Sequence, residues 1–189
     1  MSVNDIAYRP ENLAHDRAID QINEEAFGPG RFTRAAYKIR EGGPHERDLS
    51  LVAVHWGKVI GSVRMTRIAA GEGRALLLGP LAVIPDWKNL GIGRKLVALA
   101  LEKSKAAGHE LVVLVGDAPY YSQLGFKRIP YGQIAMPRPV DRDRLLACEL
   151  ADGALAKLRG DVVHEDQVKG AAGSLPLAGR VVREADRVG

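Results

Sequence analysis

Hydrophobic residues form two long runs near the middle of the chain, separated by an amphipathic segment. The first run, residues 75–84, is apolar except for Gly79 and Pro80, and the second is Leu111–Val115. Continuous apolar runs rich in β-branched residues are typical of buried strands. Between them, residues 90–107 have apolar positions at helical spacing, which predicts one buried face. The residues of that face are Gly93, Leu96, Val97, Ala100 and Leu101. The order strand, helix, strand predicts a right-handed parallel crossover.

Further elements are predicted on both sides of this unit. Gly57-Lys58 lies between two alternating runs and predicts a hairpin, so three antiparallel strands precede the crossover. The fold class is therefore α/β, with a mixed, largely antiparallel sheet and flanking helices. The other predicted elements are strands at 6–9, 49–56, 59–65, 145–150 and 161–163, helices at 13–27 and 32–40, and short helices at 120–124 and 154–158.

The domain organisation follows from where this periodicity ends. Residues 1–168 are predicted to form a single domain, and residues 169–189 form a Gly, Ala and Arg-rich tail without helical or strand periodicity. Such a tail is expected either to be mobile or to dock on a partner chain, which would give a homodimer.

The composition is that of a folded globular protein. Of the 189 residues, 46% are hydrophobic, which is enough for the core of one domain. No run of about 18 apolar residues occurs, and the polar N-terminal segment lacks the charged-then-apolar order of a secretory signal. We therefore expect a cytoplasmic protein that does not bind a membrane.

The charge and the cysteine and histidine content exclude further kinds of partner and site. The 27 Lys and Arg residues against 23 Asp and Glu give a net charge of +4, but the basic residues do not cluster with aromatic ones, so no nucleic-acid partner is expected. The single cysteine, Cys148, excludes an internal disulfide, and its apolar neighbours predict a buried thiol. The histidines are scattered without ligand spacing, so no metal is predicted.

A turn suited to phosphate lies between the first apolar run and the helix. Pro85-Asp86 ends the run, and Gly91-Ile92-Gly93 opens the helix. The first amides of a helix have no intrahelical acceptor and lie at the positive end of the helix dipole, so this turn predicts an anion site. A dinucleotide-binding turn would instead follow the first strand of a parallel sheet, and a phosphate-loop NTPase would need Gly-Lys-Ser/Thr, which is absent.

Two segments resemble the GCN5-related N-acetyltransferases, the GNAT superfamily. Residues 88–93, KNLGIG, resemble its acyl-CoA signature Arg/Gln-x-x-Gly-x-Gly/Ala, with Lys88 in place of the usual Arg or Gln. Residues 116–126, GDAPYYSQLGF, look like the second signature of the family, in the expected order and spacing. The later segments at 145–150 and 160–163 are similar to the YhbS-like branch. The resemblance implies a GNAT-type sheet in which a splayed pair of strands binds acyl-CoA.

The resemblance implies that acetyl-CoA is the co-substrate and identifies the residues that bind it. The amides at the helix start would bind the pyrophosphate, with Arg94 or Lys95 adding positive charge. The main chain of the preceding strand would bind the pantetheine arm, while its side chains belong to the core. The implied acyl-CoA residues are Leu81, Ala82, Val83, Asn89, Leu90, Gly91, Ile92, Gly93 and Arg94.

Tyr121 is the implied catalytic residue. It aligns with the family tyrosine that protonates, or hydrogen-bonds to, the departing CoA thiolate. A phenol with a pKa of about 10 is a suitable donor to a thiolate. Tyr120 is the alternative, and either tyrosine could instead serve only to pack a short helix on the sheet. Asp117, where the family more often has a nearby Asn, is interpreted as a helix cap.

A general base is harder to assign. Many relatives carry a Glu on the strand before the phosphate turn, whereas this strand offers Gly79 and Pro80. Glu24, Glu25 and His55 are the candidates elsewhere, although each is typical of a solvated or structural position. A largely neutral amine, or a chain of water molecules, would remove the need for a dedicated base.

The predicted function is transfer of an acetyl group from acetyl-CoA to a primary amine of a small molecule or a protein, without a covalent enzyme intermediate. The missing carboxylate motivates a second hypothesis, an acyl-CoA sensor or interaction module with little catalysis. A nucleotide-binding domain of another fold is the third. Trp56 and Trp87 are interpreted as packing residues.

Overall fold

One sheet of eight strands organises the protein. The computed structural model describes residues 5–172. The strands are β1 Ile6–Pro10, β2 Leu51–His55, β3 Lys58–Ala70, β4 Gly73–Val83, β5 Leu111–Val115, β6 Lys127–Arg128, β7 Ile134–Ala135, β8 Leu145–Glu149, β9 Gly160–Asp161 and β10 Val163–His164. The α-helices are α1 Asp16–Phe27, α2 Ala35–Arg40, α3 Ile92–Ala106, α4 Ala118–Ser122 and α5 Glu165–Ala172.

The topology confirms the predicted fold class. The strands lie in the order β1-β2-β3-β4-β5-β8-β6, with β10 paired to β3, while β7 and β9 form a separate two-stranded sheet. Within the large sheet, as far as the chain is described, only β4 and β5 are parallel. The crossover between them is α3, and the hairpin β2-β3 precedes it as the sequence predicts.

Several element bounds differ from the sequence prediction for identifiable reasons. β3 continues to Ala70, beyond the predicted end at residue 65, because it pairs with β4 as far as Ala70 and Gly73 and because the polar Arg67 finds a carboxylate partner in Glu46. α2 is short because the residues before it, Pro29–Thr33, form a 3-10 helix. The two-residue strands β6 and β7 lack a sequence signal of their own.

The C-terminal tail is described only in part. α5 begins at Glu165 and crosses the predicted boundary between residues 168 and 169, so the first tail residues are helical. Residues 173–189 of the predicted tail lie outside the described residues.

The core lies on both faces of the sheet. α3 covers one face, and its buried side chains include Ile92 where the periodicity predicted Gly93. α1 covers the opposite face through Ile19 and Ile22, and α2 adds Ile39 on that side. The sheet thus has an α3 face and an α1-α2 face. A ligand that passes through the sheet would contact different residues at its two ends.

β4 and β5 separate at the centre of the sheet. Their parallel pairing is limited to Leu76 with Val112 and Leu77 with Val113, although β5 pairs with β8 along its whole length. At the point of separation β4 bulges, because Gly79 and Pro80 together oppose the single residue Arg64 of β3. Gly79 has a φ of +126°, a region that favours glycine, and Pro80 has no amide to donate to a neighbouring strand. The splayed strand pair of the prediction is therefore present.

Two of the single-residue interpretations have opposite outcomes. Cys148 is a buried free thiol, as predicted, and burial raises its pKa. Trp56 does not pack in the core, because it is 83% exposed at the β2-β3 turn, where its ring stacks on His55. Trp56 has a positive φ of 47°, because the chain reverses direction at this turn. The side chain therefore lies at the end of the hairpin and not against the core.

Candidate active site

A cleft of about 490 Å³ lies where β4 leaves the sheet and α3 begins. Its volume is within the usual range for a small-molecule site. The lining combines the last residues of β4, the turn into α3, the first turn of α3 and one tyrosine of α4. The lining residues are Leu81, Ala82, Val83, Trp87, Lys88, Asn89, Gly91, Ile92, Gly93, Arg94 and Tyr120.

The start of α3 offers unpaired amides to this cleft. Gly91 is the N-cap residue with a φ of +80°, and it makes no side-chain cap. The amide of Lys95 donates to the Gly91 carbonyl at 3.0 Å, so the first intrahelical bond begins there. The amides of Ile92, Gly93 and Arg94 precede that bond and have no intrahelical acceptor, which leaves them for an anion.

The free edge of β4 faces the gap left by the splay. The Ile84 amide donates to the Ile60 carbonyl of β3 at 2.9 Å, so this amide points toward β3. Amides alternate in direction along a strand, and those of Val83 and Leu81 therefore point to the other side. That side is where β5 has moved away, so these two amides lie along the gap.

The adjacent tyrosines of α4 have different surroundings. The Tyr120 hydroxyl lies 2.8 Å from the position that a Cβ on Gly93 would take, and the Tyr120 ring is 5.6 Å from the Arg94 guanidinium. Tyr121 instead places its ring against Gly116 and edge-on to Phe126, with 5.7 Å between ring centres. Burial raises the pKa of Tyr121 to about 12, so its phenol stays protonated.

The α1-α2 face of the splay is polar and positively charged. The Arg40 guanidinium reaches the bulge of β4, where its Nη2 is 3.3 Å from the position of a Cβ on Gly79. Burial, together with the positive charge of Arg64, lowers the pKa of Arg40 to about 10. The buried side-chain atoms on this face that have no hydrogen-bond partner among the described residues are Asn23 Oδ1, Arg40 Nε, Ser62 Oγ and Thr66 Oγ1.

A second ionic group lies on this face beside Arg40. The buried Glu11 carboxylate contacts His45 and accepts hydrogen bonds from Arg64 at 3.0 Å and Arg47 at 3.2 Å. The same two arginines bind Asp16 at 2.8 and 2.9 Å. Burial would raise the pKa of Glu11, but the hydrogen bond with His45 and the charge of Arg64 outweigh it and lower that pKa.

The structure brings most of the implied acyl-CoA residues together. Eight of the nine line the cleft; Leu90 is the exception, with a side chain that is 42% exposed on the turn. Tyr121 does not line the cleft, whereas Tyr120 does. Asp117 occupies the predicted N-cap position of α4 but makes no side-chain cap hydrogen bond. Trp87 is buried as predicted and also lines the cleft.

The three candidate bases do not line the cleft. Glu24 and Glu25 are exposed on α1, and the Glu25 carboxylate accepts a hydrogen bond from Gln21 at 3.2 Å. His55 lies between the rings of Trp56 and Trp87, with its centre 4.6 Å from that of Trp87. The sequence did not identify Arg40 as a site residue. The only available signal was that Gly79-Pro80 stands where many relatives carry a carboxylate.

Within residues 5–172, no helix is both long and apolar enough to cross a bilayer. The same residues contain no group of three or more side chains that could hold a metal ion.

Comparison with known proteins identifies the class of fold and site. The profile of the acetyltransferase (GNAT) domain matches residues 46–128, which include the hairpin, the splay and both predicted signatures. The structure of the GNAT family N-acetyltransferase YhbS from Escherichia coli in complex with CoA superposes with a TM-score of 0.72 at 25% identity, over 87% of this chain and 92% of that one. A GNAT family acetyltransferase from Brucella melitensis in complex with acetyl-CoA superposes with a TM-score of 0.54 at 27% identity, over 79% of this chain and 97% of that one.

Sequence similarity gives the same result. The uncharacterized N-acetyltransferase CT2212 of Chlorobaculum tepidum is 32% identical over 133 residues, which are 68% of this chain and 80% of that protein. The chain belongs to the GNAT family of acetyltransferases. The predicted resemblance to the YhbS-like branch is confirmed.

Proposed function

We propose that this protein is an acetyl-CoA-dependent N-acetyltransferase that transfers the acetyl group directly to a primary amine. The observation that carries the proposal is the cleft, in which unpaired amides at the start of α3 meet the free edge of β4. The YhbS and Brucella melitensis structures, which hold CoA and acetyl-CoA, support the choice of donor.

The donor would bind along the cleft from α3 to the splay. The amides of Ile92, Gly93 and Arg94 would hold the pyrophosphate, and Lys88 and Arg94 add positive charge at the rim. The Leu81 amide and other free main-chain groups at Leu81 and Val83 would hydrogen-bond to the pantetheine arm, which leaves the Val83 amide for the thioester. Such binding fixes the thioester at the gap between β4 and β5, so the acetyl carbon faces the α1-α2 side.

The reaction needs one bond formed and one broken. The amine nitrogen attacks the thioester carbonyl, the C–N bond forms, and the Val83 amide stabilises the oxyanion. The C–S bond then breaks, and the departing thiolate accepts a hydrogen bond or a proton from Tyr121. The amine loses a proton to solvent, and solvent returns to Tyr121 any proton that it has given up. Burial keeps Tyr121 protonated, which suits a donor.

Steady-state release of CoA from acetyl-CoA, measured against a panel of primary amines, tests the proposal. Amine-dependent release above buffer hydrolysis is expected. Acetyl-CoA binding without any such release would favour the acyl-CoA sensor, the hypothesis supported by the lack of a cleft-lining carboxylate. A melting temperature raised by ATP or NAD but not by CoA would contradict both.

Three further features stay predictions. They are a single domain over residues 1–168 with a tail at 169–189, a cytoplasmic location, and a homodimer formed through the tail.

A further inference from the structure

The Arg40 guanidinium is largely buried and has no anionic partner among residues 5–172. Its Nε is buried and donates no hydrogen bond to any described residue, and no described carboxylate lies within ion-pair distance. The neighbouring arginines differ, because Arg64 and Arg47 are both bound to Glu11 and Asp16. A buried charge without a partner destabilises a fold, so the position favours a function over a packing role.

The position of Arg40 indicates that it would contact the acceptor and not acetyl-CoA. The Arg40 guanidinium lies beside Gly79, 3.3 Å from the position that a Cβ there would take, two residues before Leu81 where β4 leaves the sheet. It approaches from the α1-α2 face, whereas the start of α3 lies on the other face. The guanidinium therefore lies across the splay from the proposed pyrophosphate site, on the side from which an amine would reach the thioester.

We propose that Arg40 binds a carboxylate of the acceptor, so that the acceptors are amino acids or related amino-carboxylates rather than plain amines. This inference rests on the proposed function. A guanidinium fork matches a carboxylate with two parallel hydrogen bonds and would gain the anion that the fold does not supply. Asn23, Ser62 and Thr66 on the same face also have buried polar atoms without a hydrogen-bond partner among the described residues.

The same charge accounts for the missing carboxylate base. The positive charge of Arg40 disfavours a bound ammonium and favours the neutral amine, which is the nucleophilic form. A Glu at the bulge would pair with Arg40 and block the carboxylate site. Glycine at position 79 leaves room for the guanidinium instead.

Matched acceptor pairs test the inference. The pairs are phenylalanine with phenethylamine, tryptophan with tryptamine, lysine with cadaverine, and phosphoethanolamine with ethanolamine. We expect kcat/KM for at least one amino acid to exceed that of its decarboxylated partner by about tenfold or more, as charge-assisted hydrogen bonds would give. A preference for phosphoethanolamine alone, or equal rates within every pair, would overturn the carboxylate assignment.

Variants of Arg40 separate binding from structure. Arg40→Met should raise the KM for the preferred amino acid by about tenfold or more with a smaller change in kcat, and Arg40→Lys should recover part of the loss. The KM for acetyl-CoA should not change, and a rise in it would overturn the assignment to the acceptor. Lys38→Met, on the exposed side of the same helix, is the matched control and should have no effect.

Melting temperatures keep the inference testable without turnover. Arg40→Met should melt at or above the wild-type temperature, since it removes an unpaired buried charge, and a clear fall would show a structural cation instead. With CoA present, the amino acid should raise the melting temperature of the wild type but not that of Arg40→Met.

Two outcomes distinguish failure of the proposed function from failure of this inference. If no amine supports CoA release and the amino acid still raises the melting temperature, the proposed catalysis fails but the carboxylate site stands. If Arg40→Met acetylates the preferred amino acid as well as the wild type does, the proposed function stands and the carboxylate site fails.

Discussion

Tyr121 and Tyr120 differ in surroundings although they are adjacent on α4. Tyr121 contacts Gly116 at the end of β5 and is the residue that the family motif selects, whereas Tyr120 places its hydroxyl beside Gly93. We predict that Tyr121→Phe lowers kcat by roughly 10²–10⁴-fold, the usual worth of a general acid, with little change in the acetyl-CoA KM. Tyr120→Phe is the neighbouring control. A normal kcat for Tyr121→Phe together with a low one for Tyr120→Phe would transfer the role to Tyr120.

The raised pKa of Tyr121 makes a second prediction at the residue scale. Burial raises that pKa to about 12, so the donor form persists far above neutral pH. We expect kcat to show no loss from tyrosine ionisation up to about pH 10, where an unperturbed phenol would be half ionised. A pH profile of kcat, compared with that of Tyr121→Phe, measures this. An alkaline decrease near pH 10 that disappears in Tyr121→Phe would contradict the buried environment.

The burial or role of a single residue was predictable from the sequence where the residue lies in a family motif or in an apolar run. Cys148 inside an apolar run is buried, and the motif located Tyr121 on a short helix. Trp56 is exposed because the turn geometry, and not its hydrophobicity, decides its direction. The position of the Tyr120 hydroxyl depends on how α4 packs on α3, which one sequence does not reveal.

The start of α3 needs glycine at two positions for different reasons. Gly91 has a positive φ of 80° and free space around it, whereas a Cβ on Gly93 would lie 2.8 Å from the Tyr120 hydroxyl. We predict that Gly91→Ala destabilises the fold by about 1–2 kcal/mol through backbone strain. Gly93→Ala should instead weaken acetyl-CoA binding by displacing Tyr120 into the cleft. Melting temperature and isothermal titration with acetyl-CoA separate the two effects.

A double variant tests the steric reason at Gly93. If the Tyr120 hydroxyl is the obstacle, Gly93→Ala combined with Tyr120→Phe should recover acetyl-CoA affinity that Gly93→Ala alone loses. The single variant Tyr120→Phe supplies the reference affinity. Equal losses in the single and double glycine variants would show that the helix start itself, and not the hydroxyl, sets the affinity.

Strand β4 shows how far an element can be predicted. Its apolar run fixed the strand to within two residues at the start, and the parallel crossover to β5 followed from the helix between them. Gly79 and Pro80 indicated only an interruption. The bulge lies opposite Arg64 of β3, and the Arg40 guanidinium lies beside the bulge. The positions of these residues therefore follow from how the strands pair, which hydrophobic periodicity does not predict.

The whole molecule is held together at its N-terminal side by ionic contacts between distant segments. Glu11 follows β1, Asp16 begins α1, Arg47 lies in the loop before β2, and Arg64 is on β3. None of these positions shares a motif or a helical period with another. Such contacts join α1 to the sheet behind the splay, and a single sequence could not predict them because they depend on the completed topology.

Removing Glu11 should therefore destabilise the whole fold. Glu11→Gln leaves Arg47 with Asp16, and Arg64 with Asp16 and the exposed Asp20 at 3.8 Å. Breaking a buried pair from one side costs on the order of 3 kcal/mol. The free energy of unfolding in urea near neutral pH measures the loss. Glu41→Gln is the control, because its pair with Lys38 is exposed and worth less than about 1 kcal/mol.

The pH dependence of that stability identifies its electrostatic origin. The pKa of Glu11 is lowered from its ordinary value of 4.5, so its contribution is complete above that value and is lost as the pH falls through the lower folded value. Asp16, whose pKa is lowered by its hydrogen bond from Arg47, acts in the same direction. We expect the difference between wild type and Glu11→Gln to be largest at neutral pH and to shrink in acid. A difference that stays constant from about pH 7 to about pH 3 would mean that Glu11 stabilises the fold by packing and not by its charge.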